Sequence, residues 1–322
     1  MPKPNHSTST AKLLLSTALG TMLALNAALI DPARADSGLS CEMQDGSCVI
    51  DTSGIDGIDG PDGTSTATNG SWGKEGTAGS VNTSNFDNVT GLVSSGVATS
   101  PVNITANGGK GGDGGNGYPS ISEQNFGGNG ANGMDGGAID ANIGPNTSGL
   151  ATDGTTGLGI SGITILSQGG AGGGGGVASY EEGNEGNGTS GTGGDGQGVQ
   201  ATVGGQWQSS TGNGVYIASV GGNGGTGRSG GGKLADGANG GQGGDSNSVT
   251  ATINGQIYGA AAGVFVTSAG GNGGNGGDGG ELDGDGAGNG GNGGQGGDVS
   301  ATLATGAKIT MGEDTTGQGL GQ

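Results

Sequence analysis

The chain has 322 residues, of which 89 are glycine, and only 29% are hydrophobic, too few to fill a single ordinary globular core of that length. A formal net charge of −20 argues against nucleic acid or an anionic membrane surface as a partner. Two classes remain: a disordered chain, or a repeat protein that buries little per unit.

Lys3 and Lys12 precede an apolar segment from Leu13 to Ile30, and Pro32 follows it. Ala33-Arg34-Ala35 then gives a small-x-small cleavage pattern before Asp36. Residues 1–35 are therefore expected to be a secretory signal cut between Ala35 and Asp36. Ser16, Thr17, Gly20, Thr21 and Asn26 dilute the segment, which argues against a permanent membrane anchor. Cleavage would leave 5 basic and 27 acidic residues and remove the only histidine, His6. Cys41 and Cys48 follow closely, and in an oxidising compartment they are expected to form a disulfide. Residues 36–88 read as a polar cap or linker holding this pair. Within it, GIDGIDGPDG (Gly54 to Gly63) is too short for a collagen triple helix.

From residue 89 to 322 the chain repeats. GVYIASVGGNGG (Gly214 to Gly225) and GVFVTSAGGNGG (Gly263 to Gly274) share eight of twelve positions. Looser copies are GITILSQGGAGG (Gly162 to Gly173) and VNITANGG (Val102 to Gly109). A second word reads VQATV at Val199, VTATI at Val249 and VSATL at Val299, with apolar residues alternating as in a half-buried strand. A short middle strand follows each (Gln206-Trp207, Gln256-Ile257-Tyr258, Lys308-Ile309-Thr310). Three short strands per unit cannot bury themselves alone. Stacked coils can, so the expected fold is all-β: a β-solenoid, as a right-handed parallel β-helix, with long glycine-rich excursions.

In those excursions polar residues fall at every third place, as in Asn272, Asn275 and Asp278, then Asn289, Asn292, Gln295 and Asp298. That is the polyproline-II period, and it would leave two glycine edges free to pack backbone to backbone. Flexible loops are the alternative, because glycine loses much entropy on ordering. Asp195, Asp245 and Asp298 read as solvated turn residues closing successive excursions.

STGNGVYIASVGGNGG (Ser210 to Gly225) and AAAGVFVTSAGGNGG (Ala260 to Gly274) resemble the repeats of Gram-negative autotransporter passenger regions. The resemblance implies a β-helical, surface-displayed passenger of adhesive or structural character. Its ligand would lie on a host or neighbouring cell. It carries over no catalytic residue, no cofactor and no metal. The outer-membrane barrel such proteins carry is absent from this sequence, and TTGQGL (Thr315 to Leu320) matches STGNGV, so the chain reads as ending in mid-repeat.

Two other readings compete. GGQGGDSNS (Gly240 to Ser248) resembles a calcium-binding RTX nonapeptide, but Asn247 stands where that repeat needs an apolar residue. A carbohydrate-active β-helix enzyme would need acid groups on one face. Here the carboxylates lie in glycine runs, the sequence after the signal has one arginine (Arg228), and no nucleophile-base set can be assembled. Trp207 could stack on a sugar, but it aligns with Ile257 and reads as packing.

Overall fold

Residues one, three and five of VQATV share a strand face, so each coil presents an apolar row with nothing of its own to cover it. The computed structural model meets this by stacking. It describes residues 42–44, 47–64, 69–80, 82–86, 92–95, 100–118, 125–152, 161–178, 187–230, 236–280 and 286–312. These belong to one compact unit, Gly38–Gln322. The expected signal with Ala35 and Asp36, Cys41, and the terminal copy at 315–320 lie outside the described residues.

A hairpin opens the unit: β1 (Glu42–Gln44) pairs antiparallel with β2 (Ser47–Asp51). The chain then circulates, adding one strand to each of three sheets per circuit. The leading sheet holds β3 (Asn82–Phe86), β6 (Ile139–Ile143), β9 (Val199–Val203), β12 (Val249–Ile253) and β15 (Val299–Leu303). The middle sheet holds β4 (Leu92–Ser95), β7 (Ser148–Thr152), β10 (Gln206–Ser209), β13 (Gln256–Gly259) and β16 (Lys308–Met311). The trailing sheet continues from β2 through β5 (Val102–Thr105), β8 (Ile163–Gln168) and β11 (Asn213–Val220) to β14 (Ala262–Ala269). Every pairing in the circuits is parallel. The molecule is thus all-β among its described residues, with parallel strands in stacked sheets.

The repeated words stack in the register their alignment implies. Val215, Tyr216 and Ile217 face Val264, Phe265 and Val266. Val199, Ala201 and Val203 face Val249, Ala251 and Ile253. Inside, Ile139, Val199 and Val249 form one buried ladder, and Ile143, Val203 and Ile253 another. Each such side chain withdraws enough apolar surface to contribute about 1.5–3 kcal/mol. Trp207 is fully buried, and its Nε1 donates to the Gly204 carbonyl at 2.8 Å. Its ring crosses Gly149 of the preceding coil, where a Cβ would sit 2.5 Å from Cζ3. Trp207 is therefore a packing residue. The turn before it needs a glycine: Gly205 has φ +78°, and a side chain there would meet the Thr147 carbonyl at 2.2 Å.

The stretch 36–88 contributes β2, β3 and two extended runs to the stack, so the ordered coils begin well before residue 89. Cys48 is disulfide-bonded, pairs with Val102 and is 1% exposed within the core. Val264 also differs from its aligned partner Val215. Among the described residues no strand follows β14 in its sheet, and Val264 is only partly buried while Val215 is 0% exposed.

Each excursion is a hairpin of two extended runs, one leading away from the trailing sheet and one returning to the leading sheet. The runs are hydrogen-bonded at every third residue, the polyproline-II period. In the outgoing run 221–230, the amides of Gly221, Gly224 and Gly227 donate to Ala269, Asn272 and Asn275 of the next coil. The next glycine of each triplet bonds across the layer: Gly222 and Gly225 donate to Gly194 and Gly191 of the preceding return run. Both glycine positions are fixed by close approach. A Cβ on Gly271 would lie 1.9 Å from the Gly222 carbonyl oxygen, and one on Gly240 2.1 Å from that of Gly274. The glycine runs are thus packed and hydrogen-bonded to one another.

Candidate binding face

The two glycines of each triplet satisfy their amides on backbone carbonyls. At many third positions the amide instead takes a side-chain oxygen of the preceding layer as its acceptor. On the return runs, the amide N–H of Asp195 donates to Asp135 Oδ1, that of Asp245 to Asp195 Oδ1 and that of Gln295 to Asp245 Oδ1, at 2.7–2.8 Å. Parallel columns join Thr189 to Asn129, Thr192 to Asn132 and Asn289 to Asn239 at 2.7–3.0 Å. Outgoing runs do the same: the amides of Lys110, Asp113 and Asn116 donate to Oδ1 of Asp56, Asp59 and Asp62. Asn272 donates to Asn223, and Asp278 to Ser229.

This explains why the third residue is so often Asn or Asp. A short side chain ending in an acceptor oxygen spans one layer, and either residue provides it. It also corrects two sequence readings. Asp195 and Asp245 lie in extended runs rather than turns, and each, still reached by solvent, is an acceptor within a ladder. Asp298 is not their equivalent: β12 and β15 align Val249 with Val299, which places Gln295 in the Asp245 column. In the RTX-like stretch Gly240 to Ser248, Asp245 Oδ1 is committed to the Gln295 amide.

The result is a series of ladders of Asn and Asp oxygens and main-chain amides along the return runs. Near its outer end an open groove of about 570 Å³ runs between residues 187–192 and 236–242, lined by Asn187, Thr189, Ser190, Asn239, Gln242 and one carboxylate, Asp236. Asp236 Oδ1 accepts the Gly286 amide at 2.7 Å. On the outgoing side, the Arg228 guanidinium reaches the Gly175 carbonyl and lies 3.8 Å from Asp113. On the trailing sheet, Tyr216 and Phe265 stack with ring centroids 5.7 Å apart. Partial burial pushes the Tyr216 phenol above its ordinary pKa.

A serine that sequence reasoning passed over joins the two halves of the molecule. Ser167, Ser219 and Ser268 occupy one position of the repeated word. Their Oγ atoms accept the amides of Gln197, Asn247 and Gly297, where each return run meets the leading sheet, at 2.8–3.1 Å. The signal was present in ILS, IAS and VTS, always five residues after the glycine that opens the word.

No family model matches this chain, and no curated protein matches it. Among solved structures, it aligns with the springtail antifreeze protein from Granisotoma rainieri, described as a nine polyproline type II helical bundle. The identity is 19%, covering 76% of this chain and 97% of that one, with a TM-score of 0.19. Agreement that low carries no argument about fold or function.

Proposed function

We propose that this chain is an exported, non-enzymatic surface protein with an adhesive or structural role, of the autotransporter-passenger kind, built as a right-handed parallel β-helix edged by polyproline-II runs. Right-handedness is what parallel crossover connections adopt almost without exception. Export rests on the segment 1–35 and the Ala35/Asp36 cleavage pattern. The observation that carries the role is the return-run face. Its Asn and Asp side chains are held by accepting main-chain amides of the next coil, in ladders over successive coils. A face ordered in advance loses little entropy when it binds a polar surface.

The open groove favours a second reading, a β-helix acting on polysaccharide. Its one lining carboxylate, Asp236, is tied through Oδ1 to a main-chain amide, which supports saccharide binding over hydrolysis.

Expression in a Gram-negative host, with protease added to intact cells, tests the reading. Export predicts material whose mass begins at Asp36, outside the cytoplasm, that adheres to cell-surface glycans without shortening them. Retention of residues 1–35 in the cytoplasm would refute export, and release of shortened glycans would favour the enzyme.

A further inference from the structure

We infer that the main-chain ladders shield Asn-Gly pairs of the glycine runs from deamidation, and that the exposed turn at Asn254-Gly255 is a site of this modification. The sequence holds fourteen Asn-Gly pairs. In each, the glycine nitrogen follows the asparagine directly and has no side chain beside it to block attack on the asparagine amide carbon. The attack needs a nitrogen free to lose its proton and a Cγ free to turn onto it.

In the runs the fold takes away both freedoms. The Gly130 and Gly133 amides donate to the Thr189 and Thr192 carbonyls at 2.9 and 2.8 Å, and those of Gly224 and Gly240 to Asn272 and Asn289 at 2.8 Å. The asparagine of each pair is held as well. Oδ1 of Asn129, Asn132, Asn223 and Asn239 accepts the amide of Thr189, Thr192, Asn272 and Asn289 at 2.7–3.0 Å. One residue of the next layer thus clamps each pair: Thr189 takes the Gly130 amide on its carbonyl and gives its own amide to Asn129.

Asn254-Gly255 joins β12 to β13 and has no such clamp. Asn254 is exposed, and neither its side chain nor the Gly255 amide has a hydrogen-bond partner among the described residues. Gly255 packs on the preceding turn, where a Cβ would meet the Gly205 carbonyl at 2.5 Å, so the attacking nitrogen stays in place while the side chain swings. Hydroxide takes the Gly255 amide proton, the nitrogen bonds to Asn254 Cγ, and the Cγ–Nδ2 bond breaks, ammonia leaving with a proton drawn from water. Water then opens the succinimide. Opening at Cγ gives aspartate, and opening at the main-chain carbon gives isoaspartate. The net change is one amide and one water to one carboxylate and one ammonium ion, which adds a negative charge to the turn.

The full chain, held folded in mildly alkaline buffer and sampled over time, tests this. Samples are digested with pepsin in acid, where the ring forms slowly, and the peptides are weighed for amide-to-acid exchange. Asn254 should convert at least about tenfold faster than Asn129, Asn132, Asn223 and Asn239, which react only through local opening. In urea the five should converge to within about threefold, since unfolding releases every clamp. Thr189→Pro suits the extended run and deletes only the amide that holds Asn129, so it should speed conversion of Asn129 and leave Asn132 slow. Conversion of the four run asparagines as fast as Asn254 in the folded chain, or an Asn129 rate unmoved by Thr189→Pro, would overturn the shield. An Asn254 that converts no faster than they do would overturn the site.

Discussion

Asp195 accepts the Asp245 amide through one carboxylate oxygen and lends its own amide to Asp135. Removing that oxygen leaves an amide without a protein acceptor, and restoring it as an amide oxygen should repair the ladder. Asp195→Ala should therefore cost about 1 kcal/mol and Asp195→Asn less than about 0.5 kcal/mol in urea unfolding. Equal losses would mean that the carboxylate charge, rather than the acceptor, matters. Glycine positions obey a similar geometric rule. Gly240→Ala forces a methyl to 2.1 Å from a carbonyl oxygen and should destabilise by at least about 2 kcal/mol, measured by thermal unfolding. A near-neutral result would deny the close packing of the runs.

Among the elements, strand words were legible because they repeat and alternate. Eight identities over twelve residues imply the register in which β11 pairs with β14. β3 was not legible, because NTSNF carries Asn where a strand word prefers β-branched residues; IDANI of β6 keeps the alternation of VQATV and was passed over, and its pairing with Val199 shows its place. The first outgoing run was misread as linker for a related reason. Its triplets are Gly-Ile-Asp rather than Gly-Gly-Asn, because among the described residues no layer precedes it and the second position is free to carry a side chain. Interior and end strands should respond differently to the same insult. Val215→Asp buries an unpaired carboxylate and should cost several kcal/mol, whereas Asn275→Asp adds a hydrated charge and should cost about 0.5 kcal/mol or less. Limited proteolysis should show new cuts near β8, β11 and β14 for Val215→Asp alone. Val264→Asp, on the last strand of its sheet, should fall between them.

For the whole molecule, the low apolar content and the stacked fold are one fact. A narrow apolar interior needs few side chains, and the rest of the chain gains its order from backbone hydrogen bonds between glycine runs. Composition alone left those runs as either packed helices or flexible loops, because the deciding contacts join residues about 50 positions apart, as between Asp195 and Asp245. The binding face depends on their order, and native-state amide hydrogen exchange reads it directly. Peptides from 221–230 and 270–280 should exchange at least about a hundredfold more slowly than an unstructured chain, within reach of β11 and β14. Exchange of these runs at the unstructured rate while the strands stay protected would show that the glycine segments are loops on a β-stack, and would contradict the packing of the runs on which the binding face depends.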